Sequence, residues 1–175
     1  MISESFFFKG TFLMKFLAEE LGRARNGIVS EIAEHEDDDI SETVYSKYSI
    51  EPIVLHEDEI EKSLTTGYRI SDPLFFIKYL PDPECVKCRV VEYRIPFEGD
   101  ERLFRFTTHP LPYYPFGRLE DHAFIISVKE GEDFYISDYK YNLIVLRNCI
   151  EIVERAVRCY NSDLKAMIRK LNRDR

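Results

Sequence analysis

The sequence predicts an α+β fold: an N-terminal helical segment, a mainly antiparallel sheet of four to six strands, and a long C-terminal amphipathic helix. Apolar residues recur at spacings of three and four near both ends of the chain, as on one face of a helix. Between these segments, short runs alternate apolar and polar residues, as half-buried strands do. The 175 residues suit one domain. We therefore expect a single domain, 1–175, with a helical segment 1–48, a β-rich core 49–131 and a long helix 132–175.

The N-terminal segment predicts two helices. The first runs from residue 10 to about residue 35, and its inward face carries seven apolar residues: Leu13, Phe16, Leu17, Leu21, Ala24, Ile28 and Ile32. Gly22 and Gly27 weaken this helix by about 1 kcal/mol each relative to alanine. The acidic run 36–39 ends it, because acids are unfavourable at the negative end of a helix dipole. A second, short helix then continues through Tyr48.

The middle of the chain predicts strands. Residues 50–55 are short, β-branched and interrupted by a proline, which is typical of an edge or first strand. Residues 64–70 predict a second strand, and residues 89–97 predict the clearest one, because apolar and polar side chains alternate there. The pair 99–100 turns the chain, and 122–128 predicts a further strand.

The stretch 109–117 predicts an extended aromatic loop. It holds Pro110, Pro112 and Pro115, which forbid a helix and a central strand. The same stretch contains three aromatic residues that are candidates for contacting a partner: Tyr113, Tyr114 and Phe116. Loops carry function more often than cores do, and aromatic rings offer rigid contact area. The alternative is that the loop covers the sheet edge and buries its own aromatic rings.

The C-terminal segment carries an unbroken heptad seam. Its members are Ile136, Tyr139, Leu143, Leu146, Ile150, Val153, Val157, Tyr160, Leu164, Met167 and Leu171. A helix over 134–172 would be roughly 55–60 Å long, longer than a compact body of this size, whose radius of gyration is about 16 Å. The second half of the helix could therefore project as a coiled-coil-like tip that binds a partner through Tyr160, Leu164, Met167 and Leu171. The alternative is that the N-terminal helix covers the whole seam.

The charge of the chain limits its partners. The formal net charge is −8, which argues against nucleic-acid binding, because phosphate contacts need clustered lysine and arginine. Residues 31–61 hold twelve acids against one lysine, whereas 147–175 hold eight basic residues and four acids. The two segments either attract each other or are a solvated acidic face and a helix end that complements its dipole. We expect no membrane span and a cytoplasmic location.

Four cysteines predict no disulfide framework in a chain of this length. Cys85 and Cys88 have the spacing of a zinc knuckle or a redox pair, but no second such pair exists. Cys149 and Cys159 would lie about 15 Å apart along a helix, too far to share one ion. We therefore expect no cofactor and no metal. No arrangement of Ser, His and acid indicates a catalytic site.

Two strings carry a resemblance. SIEPIVLHED at 49–58, followed by YRIPFEGD at 93–100 and Leu103-Phe104, resembles a group of uncharacterised bacterial proteins that have a helical start and a long closing helix. The resemblance covers about residues 40–175. The chain differs from the group in the aromatic loop and in the paired cysteines. It implies that the chain is the N-terminal region of a longer protein. It implies no activity and no catalytic residue.

These observations predict a binding or assembly module of a bacterial cytoplasmic protein, as in the N-terminal domain of a sensor or defence-type factor. The module would bind a protein partner or a second copy of itself through the long helix and the aromatic loop. One alternative is a metal-dependent, nuclease-like hydrolase using acids such as Glu92 and Asp138, each two residues from a basic residue. Another is a small-ligand sensor with a pocket beneath the aromatic loop.

Overall fold

The computed structural model describes residues 5–8, 10–34, 40–70, 85–107, 114–130 and 139–174. Its contacts separate the chain into two compact units. The sheet unit comprises Met1–Ser5, Leu55–Phe97 and Phe116–Val145. The helical unit comprises Phe6–Val54, Glu98–Pro115 and Leu146–Arg175. The single-domain organisation stays a prediction.

The elements confirm the α+β class, with helices at both ends and a mainly antiparallel sheet between them. The helices are α1 (Leu13–Glu34), α2 (Ile40–Tyr48) and α3 (Tyr139–Arg173). The strands are β1 (Ser5–Phe6), β2 (Val54–Leu55), β3 (Glu61–Ile70), β4 (Cys85–Glu98), β5 (Phe116–Glu120) and β6 (Ala123–Lys129). Two short 3-10 helices cover Glu57–Glu59 and Glu101–Arg105.

The sheet runs in the order β1-β5-β6-β4-β2, and β3 pairs with β4 beyond this path. The pairs β3–β4, β4–β6 and β5–β6 are antiparallel. Within the sheet unit, Tyr93 and Ile95 of β4 lie opposite Ile126 and Phe124 of β6, so these four side chains share one face. The first residue of α3, Tyr139, stacks on the Tyr93 ring with 3.8 Å between ring centroids.

The strand predicted at 122–128 begins one residue later, and β5 (Phe116–Glu120) precedes it, beginning within the loop predicted at 109–117. Asp121 and His122 have φ of 46° and 55°, and together they form the two-residue turn between β5 and β6. Such primed turns match the twist of antiparallel strands and favour residues that tolerate positive φ. The carbonyl of His122 also accepts a hydrogen bond from the Phe97 amide at 2.9 Å. The pairing with β6 thus makes β5 a strand despite its neighbouring prolines.

The edge strand predicted at 50–55 is only partly correct, because β2 contains Val54 and Leu55 alone. Ile50 and Ile53 are buried, so their apolar character reflects a packed loop and not a strand. The strands predicted at 64–70 and 89–97 are confirmed and longer, as β3 and β4. Residues 71–84, 108–113 and 131–138 lie outside the described residues.

In the helical unit, α1 turns its predicted face inward. Leu13, Leu17, Ala24 and Ile28 are buried, and Phe16 stacks on Phe106 at 4.1 Å between ring centroids. The side chain of Ile32 is outside the described residues. The spacing of these buried positions confirms the amphipathic helix.

No helix in the described part of the chain combines the length and the apolar composition that a membrane span needs.

Candidate interaction surfaces

The heptad seam of α3 is covered by its own chain for most of its length. Seven of its members are buried: Leu143, Leu146, Ile150, Val153, Val157, Tyr160 and Leu164. The exposed fraction of Tyr160 is 5% and that of Leu164 is 0%. Met167 and Leu171 are half-buried. Whether these residues contact a partner stays a prediction, but Tyr160 and Leu164 offer no free side-chain surface.

The last turns of α3 bury Ile168 (3% exposed) instead of Met167. A straight helix has 3.6 residues per turn, so a strict heptad seam drifts by about 20° per heptad around it. Over the four heptads from Tyr139 to Met167 the seam moves by about 80°, which brings the next residue onto the buried face. This burial pattern follows the 3.6-residue repeat of an α-helix and not a strict heptad repeat.

Two polar side chains of α3 hold the segment that follows α2. Tyr160 donates its hydroxyl hydrogen to the carbonyl of Tyr48 at 2.8 Å. The Asn161 side chain accepts from the amide of Ile50 at 3.1 Å and donates to its carbonyl at 2.8 Å. These two hydrogen bonds satisfy the backbone N–H and C=O of Ile50, which a neighbouring strand would otherwise pair. The second half of α3 therefore has a structural function in the helical unit.

A carboxylate of α1 fixes the end of α2. Glu31 accepts hydrogen bonds from the Tyr48 hydroxyl at 2.9 Å and from the Lys47 ammonium. Burial, followed by the bond to Glu31, raises the pKa of Tyr48. A β-carbon at Gly27 would overlap the Tyr48 hydroxyl, so the absence of a side chain at this helical position has a packing reason.

Of the predicted aromatic loop, the structure describes residues 114–117. Tyr114 and Phe116 are half-buried, and the Phe116 amide donates to Oδ1 of Asn142 at 3.3 Å. Tyr113 lies outside the described residues. Nothing in the described part of this loop tests its predicted role in binding.

An ion-pair cluster lies on β4, β5 and β6. The Arg118 guanidinium donates to Glu92 at 3.0 Å, to Glu120 at 3.1 Å and to the Ser127 hydroxyl at 3.2 Å. Burial lowers the pKa of Arg118, but the hydrogen bonds to Glu92 and Glu120 outweigh it and the net pKa is raised. Glu92, a candidate acid of the hydrolase alternative, therefore serves as an ion-pair partner here.

In the described ranges, no group of three or more His, Cys, Asp and Glu side chains could hold a metal ion. Asp138 lies outside those ranges. Cys85 and Cys88 lie in the continuous strand β4, opposite Ile70 and Gly67 of β3. The hydrolase and the zinc site gain no support from these residues.

The outward face of α1 carries an apolar stripe. Its members, the outer stripe, are Met14, Ala18, Gly22 and Val29, all of them exposed. Their spacings of four, four and seven place them on one side of the helix, and the exposed Arg25 lies on the same side between Gly22 and Val29. The exposed fractions of Met14 and Val29 are 64% and 51%. The spacing of these residues is visible in the sequence, but periodicity alone does not show which of two apolar stripes on one helix faces inward.

Gly22 lies at the middle of the outer stripe, and the described residues give no packing reason for it. A β-carbon built there meets no atom within 4 Å, in contrast to Gly27. A helical glycine costs about 1 kcal/mol relative to alanine, and no contact with a described residue requires it. A small residue at this place permits a close approach from outside the chain.

The two described cysteines of α3 differ in burial, which predicts different reactivity. Burial raises the pKa of the Cys149 thiol to about 12, whereas Cys159 is exposed. Because the thiolate is the reactive form, we expect iodoacetamide at pH 8 to modify Cys149 at least about a hundredfold more slowly than Cys159. Peptide mass spectrometry of native and urea-unfolded samples checks this. Equal rates in the native sample would show that Cys149 is not buried.

Comparison of the chain with family profiles, curated proteins and solved structures finds no match. The resemblance of residues 40–175 to a bacterial group therefore stays a prediction.

Proposed function

We propose that this protein is a protein-binding module that takes part in assembly by docking a helix of a partner on the outer stripe of α1. The observation that carries the proposal is the exposed stripe Met14, Ala18, Gly22 and Val29. The burial of Tyr160 and Leu164 is the reason why this surface, and not the seam of α3, is proposed as the binding site.

Three features support a helix as the docked element. The small residues Ala18 and Gly22 follow one another between the larger residues Met14 and Val29 of the stripe. Small residues at a four-residue spacing allow two helix backbones to approach closely, and ridges at this spacing fit the grooves of a second helix. The inward face of α1 is anchored by Leu13, Leu17, Ala24 and Ile28, so the surface is held in place before binding.

A matched pair of variants tests the proposal. Met14→Asp with Val29→Asp puts two carboxylates on the outer stripe, and Asn26→Asp with Ser30→Asp adds the same charge on exposed positions beside it. Each chain is immobilised as bait in a lysate of its source cells. We expect proteins captured by the wild-type and control baits to fall at least about tenfold on the stripe variant, because a buried unpaired carboxylate costs several kcal/mol.

Thermal unfolding of the three baits provides the folding control, since all four positions are exposed and surface changes cost about 0.5 kcal/mol or less. Identical capture by the three baits at equal stability would contradict docking on the outer stripe. Loss of capture on the control variant as well would show that added charge, and not the stripe, decides binding.

A further inference from the structure

Strand β3 has an outer edge to which no strand in the described part of the chain is paired. It pairs along its whole length, Glu61–Ile70, with β4, while β4 pairs with β6 on its other side. The side chains of 61–66 are all exposed, and the exposed fraction of Leu64 is 50%. A row of unpaired backbone groups on such an edge is a template for another strand.

The hydrogen bonds of β4 identify the backbone groups that face this edge. The Glu130 amide donates to the carbonyl of Arg89, and the Phe97 amide donates to the carbonyl of His122. The backbone N–H and C=O groups of Arg89 and Phe97 therefore point toward the β6 side and away from β3. Successive residues of an antiparallel strand point to opposite neighbours. The even-numbered residues of β4 therefore bond to β3.

The same alternation applies to β3 itself. Val90 and Glu92 lie opposite Thr65 and Ser63, so the odd-numbered residues of β3 bond to β4. The even-numbered residues, among them Leu64, direct their N–H and C=O groups to the outer edge.

We infer that β3 pairs with β3 of a second copy of this chain, antiparallel and about a two-fold axis at Thr65. This register sets Leu64 opposite position 66 as a hydrogen-bonded pair and Thr65 opposite itself as a non-hydrogen-bonded pair. It also sets Glu61 opposite position 69, where the sequence has an arginine, at both ends of the pairing. The result is one continuous sheet across the two copies, and it does not depend on the outer stripe of α1.

Charge complementarity selects both the occupant and the register. A two-fold axis at Leu64 would set Glu61 opposite Gly67, and an axis at Thr66 would set it opposite a residue beyond β3. The axis at Thr65 brings opposite charges together in non-hydrogen-bonded pairs, where side chains of paired strands are closest. It also uses nearly the full length of the strand.

Light scattering across a concentration series tests the pairing. We expect the wild-type chain to form dimers whose population rises with concentration. Leu64→Pro removes an outward N–H that β4 does not use, and proline is tolerated on such an edge, so this variant should be monomeric while Leu64→Thr still forms dimers. Glu61→Arg should weaken the dimer about tenfold, and Glu61→Arg combined with Arg69→Glu should restore it.

Cross-linking tests the register without a folding risk at the edge. Under mild oxidation, Thr65→Cys should give a disulfide between two copies, because a non-hydrogen-bonded pair has a Cα separation of about 4.5 Å, within disulfide reach. Ser63→Cys places the Cα atoms of the two cysteines about 13 Å apart, so this variant should not cross-link. Peptide mapping assigns the bonds independently of the native cysteines. A monomer at every concentration, or equal cross-linking of both variants, would overturn the inference.

Discussion

Leu164→Ala is expected to lower the free energy of unfolding by about 2–5 kcal/mol. The side chain is fully buried in the second half of α3, between the turn that bears Asn161 and the turn that bears Ile168. Removing a buried leucine loses its transfer free energy and leaves a cavity that the surroundings fill only in part. For a chain of this size the change corresponds to a melting temperature lower by roughly 5–15 °C.

Ser162→Ala is the matched control, because Ser162 lies on the exposed side of the same helix. Its effect should stay within about 0.5 kcal/mol. Urea unfolding followed by circular dichroism measures both variants. If the second half of α3 projected into solvent as a tip for a partner, Leu164→Ala would be as mild as the control. Equal effects would therefore favour the projecting helix over the packed one.

The sequence of α3 predicts which residues are covered, but not what covers them. Leu143, Leu146, Val153 and Val157 are buried as their spacing predicts. A repeat of 3.5 residues and a repeat of 3.6 residues differ little over one or two heptads, so the burial of Ile168 in the last turns is the clearest sign of a packed helix. Periodicity reports the face of one element, whereas the cover is a property of the whole chain.

The strands show the same limit. Alternation predicts β4 because its apolar and polar residues face different surroundings. β5 is short, begins directly after Pro115 and includes Gly117, so local propensity argues against a strand. Its strand conformation comes from pairing with β6 through the turn at Asp121 and His122. That pairing is a tertiary contact, which local sequence does not contain.

The two proposed interaction surfaces were the least predictable part. The outer stripe and the outer edge of β3 are defined by the lack of a cover and of a paired strand among the described residues. Residue spacing shows that Met14, Ala18, Gly22 and Val29 share a face, but their exposure is known only once the inward face of α1 has been placed. A binding surface of this kind has no motif, because backbone groups and small side chains form it.

Gly99→Ala should lower the free energy of unfolding by about 2–5 kcal/mol, through strain and a clash together. Gly99 has φ of 100°, a conformation that glycine adopts freely and alanine does not. A β-carbon would also lie within 3.0 Å of the carbonyl group of Pro52, which is backbone and not a flexible side-chain tip. The adjacent amide of Asp100 donates to the Glu51 carbonyl at 3.1 Å, so the two segments cannot separate without losing that bond.

Gly22→Ala is the matched control: it makes the same substitution, but it is expected to change the free energy of unfolding in the opposite direction. Gly22 is helical and exposed with open space around it, so alanine should raise the free energy of unfolding by about 0.5–1 kcal/mol. Urea unfolding of both variants measures the difference. If Gly99→Ala were as stable as the wild-type chain, the positive φ and the approach to Pro52 would be wrong. If Gly22→Ala were destabilising, its side of α1 would already be covered by the chain, and the outer stripe would have no room for a partner.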